Sequence, residues 1–216
     1  MKQLADCKLY AFVDTAYLNG RAPEIVAQQL CDGGSDLIQL RAKNSSHAEI
    51  RAMAEKILPI TRRANVGLVI NDHLEIAREL GAEFCHLGQE DFFDAGFKNV
   101  SELKIKNSKL KIGLSTHAPV QAQRALEAGA DYIAIGPIFA TGTKPTAQAV
   151  TLDYVCWATE NVKIPWFAIG GINLKNLDEV LTAGAKKICV VSAILNSTDV
   201  TKTCAEFKRR LEVSRK

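Results

Sequence analysis

Arg41 and Lys43 stand two residues apart in the segment Gln39-Leu40-Arg41-Ala42-Lys43. In an extended chain alternate side chains share a face, so Gln39, Arg41 and Lys43 converge, and two cations held together call for an anion. Pairing with carboxylates at a solvated rim is the alternative reading, and such pairs contribute little. Asn71-Asp72 and Gly88-Gln89-Glu90-Asp91 each follow a short apolar run. Carboxylates beside an Arg/Lys anion site suit Mg²⁺, a hard cation bound through one or two carboxylates plus the oxygens of a substrate phosphate. Asp72 also precedes His73-Leu74 as a helix N-cap would. For either aspartate alone a cap or solvent role is the stronger reading; both at neighbouring strand ends favour the metal.

A second anion site is written into Ile169-Gly170-Gly171-Ile172-Asn173 and Val190-Val191-Ser192-Ala193-Ile194. Glycines there let a phosphate approach backbone N–H groups, and a helix N-terminus adds its positive dipole end; close packing is the other use of such glycines. Residues 139–151 are rich in Thr, Gly and Ala and hold Thr141, Thr143 and Lys144 together, the composition of an active-site lid rather than of a solvent loop. His86 lies inside an apolar run and reads as a hydrogen-bonded core residue, whereas His117 follows Ser115-Thr116 and faces the same mouth. Ser, His and Asp do not occur at nucleophile spacing, so covalent hydrolysis has no support.

Eight short apolar runs must position these groups. Four share one phrase, a Gly, a small residue and a charged residue leading into a strand: Gly34-Ser35-Asp36, Gly81-Ala82-Glu83, Gly129-Ala130-Asp131 and Gly184-Ala185-Lys186. Each Gly ends a helical pattern and can take the left-handed conformation that turns a helix into a strand. The other four runs are Leu9–Val13, Val66–Ile70, Leu110–Leu114 and Trp166–Ile169. Between them the i, i+3, i+4 spacing predicts helices over Ala22–Cys31, Ala48–Arg63, His73–Leu80, Val120–Ala128 and Asn176–Ala183. Alternation of strand and helix throughout predicts a parallel sheet, and eight units predict a (β/α)8 TIM barrel, with an open doubly wound sheet as the alternative. Residues 1–216 are then one domain with the active site at the carboxyl ends of the strands.

At 216 residues and 47% hydrophobic, the chain has material for a large core. A formal charge of +3, evenly spread, leaves no nucleic-acid footprint. No apolar run reaches the ~18 residues that span a bilayer, and the first residues do not read as a signal peptide. Six single cysteines without a CxxC pair fit a reducing compartment, so a soluble cytoplasmic protein is expected, its anion sites suiting small phosphorylated molecules and homo-oligomerisation left open.

Taken in order, Gln39-Leu40-Arg41-Ala42-Lys43, Asn71-Asp72, His86-Leu87-Gly88-Gln89-Glu90-Asp91, Gly113-Leu114-Ser115-Thr116-His117, Gly136-Pro137-Ile138-Phe139-Ala140-Thr141-Gly142-Thr143-Lys144, Ile169-Gly170-Gly171-Ile172 and Val191-Ser192 resemble the thiamine-phosphate synthase family. The resemblance implies a transferase that joins 4-amino-5-hydroxymethyl-2-methylpyrimidine diphosphate to a thiazole phosphate, with Mg²⁺ as cofactor and pyrophosphate released. It implies catalytic roles for Arg41, Lys43, Ser115 and Lys144, and pyrimidine diphosphate binding by these with Gln39 and Asn71. Thiazole phosphate falls to Thr141, Thr143, Gly171, Val191 and Ser192, and the metal to Asp72 and Asp91. Two residues depart from the pattern: Ala42 where the family commonly has Glu, and Ala140 where Pro usually stands. The rivals are a thiazole tautomerase-like isomerase of the same family, a phosphosugar isomerase on the same barrel, and a phosphate-binding protein without activity.

Overall fold

In all four copies of the repeated phrase the glycine is left-handed, with φ of 81° at Gly34, 63° at Gly81, 76° at Gly129 and 105° at Gly184. The chain reverses there and enters a strand, as the sequence predicts. The computed structural model describes residues 2–104, 109–140 and 149–213. Its strands are β1 (Leu9–Asp14), β2 (Leu37–Arg41), β3 (Gly67–Asn71), β4 (Phe84–Leu87), β5 (Lys111–Thr116), β6 (Tyr132–Ile135), β7 (Trp166–Ala168) and β8 (Ile188–Val190). Each pairs in parallel with the next, and β8 returns to β1 through Leu9↔Ile188, closing the barrel and excluding the open sheet.

In three of the four copies the charged residue is an acid that secures the floor opposite the mouth. Asp36 Oδ2 accepts from the backbone N–H of Lys8 at 2.8 Å and of Leu9 at 3.1 Å. Glu83 Oε2 accepts from Leu68 N–H at 3.1 Å, and Asp131 Oδ2 from Ile112 N–H at 2.7 Å. Each carboxylate thus satisfies a donor at the start of a neighbouring strand, which would otherwise be orphaned. The repeated acid is a fastening of the scaffold, far from the strand ends where chemistry gathers.

Helices α1 (Pro23–Asp32), α2 (His47–Arg63), α3 (Leu74–Leu80), α4 (Pro119–Glu127), α5 (Thr151–Asn161) and α6 (Leu177–Thr182) connect strands, and α7 (Ser192–Leu195) and α8 (Val200–Val213) follow β8. α2 starts with a full capping box, Ser46 with Glu49. Strict alternation fails once. Between β4 and β5 the described residues form one turn of π-helix, Glu90–Asp94, and a short 3₁₀ turn, Val100–Leu103, but no α-helix. Phe92, wholly buried, packs on Phe93 at 4.8 Å and on Phe97 at 5.8 Å, so an aromatic cluster covers the barrel where the helix would lie.

Inside the barrel large and small residues interdigitate. A Cβ on Gly113 would lie 2.1 Å from Tyr132 Cζ, and one on Gly67 would lie 2.6 Å from the Phe84 ring. Tyr132 and Phe84 are fully buried, so neither ring has room to retreat. Gly113→Ala is expected to cost about 1–3 kcal/mol through overpacking. Thermal unfolding and turnover should fall together, because the same ring supports the site described next.

Candidate active site

One pocket opens at the carboxyl ends of the strands, and it gathers residues that are remote in sequence. Gln39, Arg41 and Lys43 come from the end of β2, Asn71 and Asp72 from β3, Asp91 from the turn after β4 and Ser115 from β5. Gly171, which follows β7, and Val191 and Ser192, which follow β8, line the same pocket. Thr141, Thr143 and Lys144 lie outside the described residues, as does most of the loop that holds them.

The cations are paired within this pocket. Lys43 Nζ donates to Asp72 Oδ2 at 2.5 Å, and Asn71 Nδ2 donates to the same oxygen at 2.6 Å. Asp72 itself sits at φ 61°, a conformation Asp tolerates better than most residues, with its N–H held by the His86 carbonyl at 2.9 Å. It does not cap α3: His73 occupies that position. The cap reading therefore falls, and the carboxylate is turned into the pocket instead. Asp91 accepts from Gly88 N–H at 3.2 Å. Burial pushes its carboxyl above the ordinary value, and the neighbouring Asp72 charge pushes it further, against the pull of Lys43. Two hard oxygen donors in mutual repulsion are what a divalent cation relieves. Among the described residues they do not form a cluster of three metal-ligating side chains. Such a pair suits a cation that completes its shell with substrate phosphate and water rather than with protein.

Beneath the charged rim a chain of hydrogen bonds crosses the barrel. Gln39 Nε2 donates to the Tyr10 hydroxyl at 2.5 Å; that hydroxyl lies 3.5 Å from the Tyr132 hydroxyl. His86 Nδ1 lies 3.3 Å from the same Tyr132 oxygen, and His86 Nε2 is 2.8 Å from Ser115 Oγ. Gln89 fixes the Ser115 carbonyl from the rim at 2.6 Å. Gln39 on β2 and Ser115 on β5 are thus linked through a buried imidazole and two phenols. Burial lowers the His86 pKa to about 4, which keeps the ring neutral and able both to donate and to accept. The consequence is a pH effect on stability. The unfolded chain protonates this histidine near 6.5 and the folded chain does so only near 4, so stability should fall by roughly 3 kcal/mol as pH drops through that window. Urea unfolding at pH 7, 5.5 and 4 checks this, with His86→Asn expected to flatten that part of the profile.

His117 lines the pocket as expected, its Nδ1 hydrogen-bonded to the Gly136 carbonyl at 2.5 Å. At β7 the packing use of glycine is real: a Cβ on Gly170 would lie 2.4 Å from Pro137 Cα, and one on Gly171 2.7 Å from the Ala140 carbonyl. Gly171 also faces the pocket, so that position serves both uses.

A family profile described as thiamine monophosphate synthase matches residues 9–194. The chain belongs to the thiamine monophosphate synthase family. A thiamine-phosphate synthase of Thermus thermophilus is 43% identical over 187 residues, 83% of this chain and 84% of the relative. That of Halalkalibacterium halodurans is 37% identical, with 97% of each chain covered. The solved structure of thiamine phosphate pyrophosphorylase from Pyrococcus furiosus superposes with a TM-score of 0.85 at 30% identity, covering 97% of this chain and 98% of that one. As a member of the thiamine monophosphate synthase family the protein is a transferase of thiamine biosynthesis.

Sequence reasoning missed three contributors to the pocket of this thiamine monophosphate synthase family member. Asp14, at the end of β1, holds Arg41, its Oδ2 accepting from Nη1 at 2.7 Å. Tyr10 and Phe12, stacked at 5.2 Å between centroids, form part of the pocket wall. The alternation Tyr10, Phe12, Asp14 was the available signal, one inward face ending in a carboxylate at the mouth. Of the two departures from the family pattern, Ala42, the first residue after β2, is buried.

Proposed function

We propose that the protein condenses 4-amino-5-hydroxymethyl-2-methylpyrimidine diphosphate with a thiazole phosphate to give thiamine phosphate and pyrophosphate. The observation that carries this reading is one pocket lined by Arg41, Lys43, Asn71, Asp72, Asp91 and Ser115 together with Gly171 and Ser192. The first group offers cations and carboxylates for a diphosphate, the second glycine and a helix start for a monophosphate.

In the reaction proposed, the C–O bond to the diphosphate breaks and its electron pair leaves with pyrophosphate. The thiazole nitrogen then supplies the pair that forms the new C–N bond to the pyrimidine methylene. No protein nucleophile or strong base is needed. Arg41 and Lys43, with Lys144 assigned by resemblance, neutralise charge growing on the leaving group, where preorganised cations contribute most. Mg²⁺ held by Asp72 and Asp91 would add charge neutralisation at the same oxygens. Gln39 and Ser115, fixed by the buried hydrogen-bond chain, orient the pyrimidine, and Gly171, Val191, Ser192, Thr141 and Thr143 take the thiazole phosphate. Aligning the two substrates in one pocket supplies the entropic part of the rate. Excluding water protects the electron-poor pyrimidine until the nitrogen reaches it.

The relatives reported above carry the synthase name, which leaves the tautomerase-like isomerase without support. The six cysteines are all free thiols, in keeping with action in the cytoplasm, and no helix of the described residues is long and apolar enough to cross a membrane. Incubation of the purified protein with both substrates and Mg²⁺ tests the proposal by chromatography. Thiamine phosphate is expected, with loss of product on chelation; no product from an active-site-intact, folded preparation overturns the reading.

A further inference from the structure

The geometry points to Asp14 as a positioning residue that sets the Arg41 guanidinium before the diphosphate arrives. The inference rests on the assignment of Arg41 to the diphosphate above. Asp14 and Arg41 are register partners at the ends of β1 and β2. Asp14 is 1% exposed, and its two oxygens have distinct tasks: Oδ1 accepts from Ala16 N–H at 3.0 Å, and Oδ2 accepts from Arg41 Nη1 at 2.7 Å. Arg41 keeps 20% of its side chain exposed, on the pocket side. Among the described residues Asp14 is its one ion-pair partner.

A free arginine side chain loses rotamer freedom when a ligand orders it, and that loss weakens binding. Here a buried carboxylate, itself locked by the turn after β1, engages one nitrogen of the fork of a side chain that lines the pocket. Lys43 is treated otherwise: its partner Asp72 stands at the rim beside Asp91 and belongs to the reacting site. Asp14 touches no space a substrate could occupy except through Arg41, so its influence must pass through that guanidinium. A purely structural pair predicts the opposite sign, because removing a negative charge from an anion site should strengthen anion binding.

Titration calorimetry of full-length protein with inorganic pyrophosphate and Mg²⁺ tests this, using Asp14→Asn, Arg41→Ala and the double variant, with thermal unfolding to confirm folding. Asp14→Asn keeps size and one acceptor, and is expected to weaken pyrophosphate binding about tenfold while leaving thiazole phosphate binding unchanged. In the Arg41→Ala background the same substitution should have no further effect, the coupling expected of residues acting as one. Steady-state rates should show the loss mainly in KM for the pyrimidine diphosphate. Unchanged or tighter pyrophosphate binding in Asp14→Asn, with Arg41→Ala weakened, overturns the positioning role and leaves the reaction assignment standing. Unchanged binding in Arg41→Ala overturns both.

Discussion

Asp72→Asn is expected to lower kcat by about 10²- to 10³-fold, the loss typical of removing a group that stabilises charge in the transition state. Asparagine keeps the shape and tolerates the φ of 61° at this position, so the loss reports charge rather than backbone strain; Asp72→Ala adds that strain. Three groups depend on this one carboxylate. Lys43 and Asn71 both donate to Oδ2, and Asp91 is raised partly by its charge. Neutralising it frees Lys43 from the rim and leaves Asp91 as the lone acid of the proposed metal pair. Binding of the thiazole phosphate should stay within about twofold, since its proposed holders follow β7 and β8 and sites that share no partner act independently. Initial rates and calorimetry check the two halves. Equal loss of both would make Asp72 a structural residue.

Asp36→Asn is expected to destabilise the fold by about 3–5 kcal/mol without touching the site, as breaking a buried ionic cluster does. The Asp36 side chain is fully buried and receives Lys2 and Lys208, each at 2.6 Å, besides two backbone N–H groups. Those bonds tie the segment before β1 and helix α8 to one point, so the cost appears as a lowered midpoint of roughly 6–20 °C for a chain of this length. Burial alone would raise the Asp36 carboxyl, but the hydrogen bonds from Lys2, Lys208 and the Lys8 and Leu9 amides outweigh it and hold it below the usual range. A folded-state pKa below the unfolded value of about 3.9 means the stabilisation is complete above that pH and is lost as pH falls through the lower value. The gap between wild type and variant should therefore narrow in acid, which calorimetric melts from pH 7 to pH 2.5 would show.

The barrel was legible because its local signals agree with one another. Glycine at 34, 81, 129 and 184 and the apolar runs after them each dictate the same turn and the same buried strand, so each strand could be placed without tertiary information. The mouth was legible for a related reason: residues at strand ends in a parallel barrel must converge whatever their separation in sequence. Partnerships were not. That Arg41 belongs to Asp14, or that His86 joins Ser115 to Tyr132, depends on inter-strand register, which no stretch of sequence carries by itself. The β4–β5 crossover escaped because three phenylalanines within six residues, Phe92, Phe93 and Phe97, cover the barrel by ring packing rather than by helical periodicity. The sameness of the repeat builds the scaffold, and its acidic residue is spent on the barrel floor at Asp36, Glu83 and Asp131. The chemistry lies in the residues that differ from one strand end to the next.

If one mouth holds a diphosphate and a monophosphate together and joins their organic parts, the leaving group should depart only when its replacement is in place. Pyrophosphate release, followed in a coupled assay with the pyrimidine diphosphate and Mg²⁺, with and without the thiazole phosphate, reads this out. Release is expected only when both substrates are present, mole for mole with thiamine phosphate. Release at the same rate without the thiazole phosphate, or consumption of the thiazole phosphate without release, would contradict it.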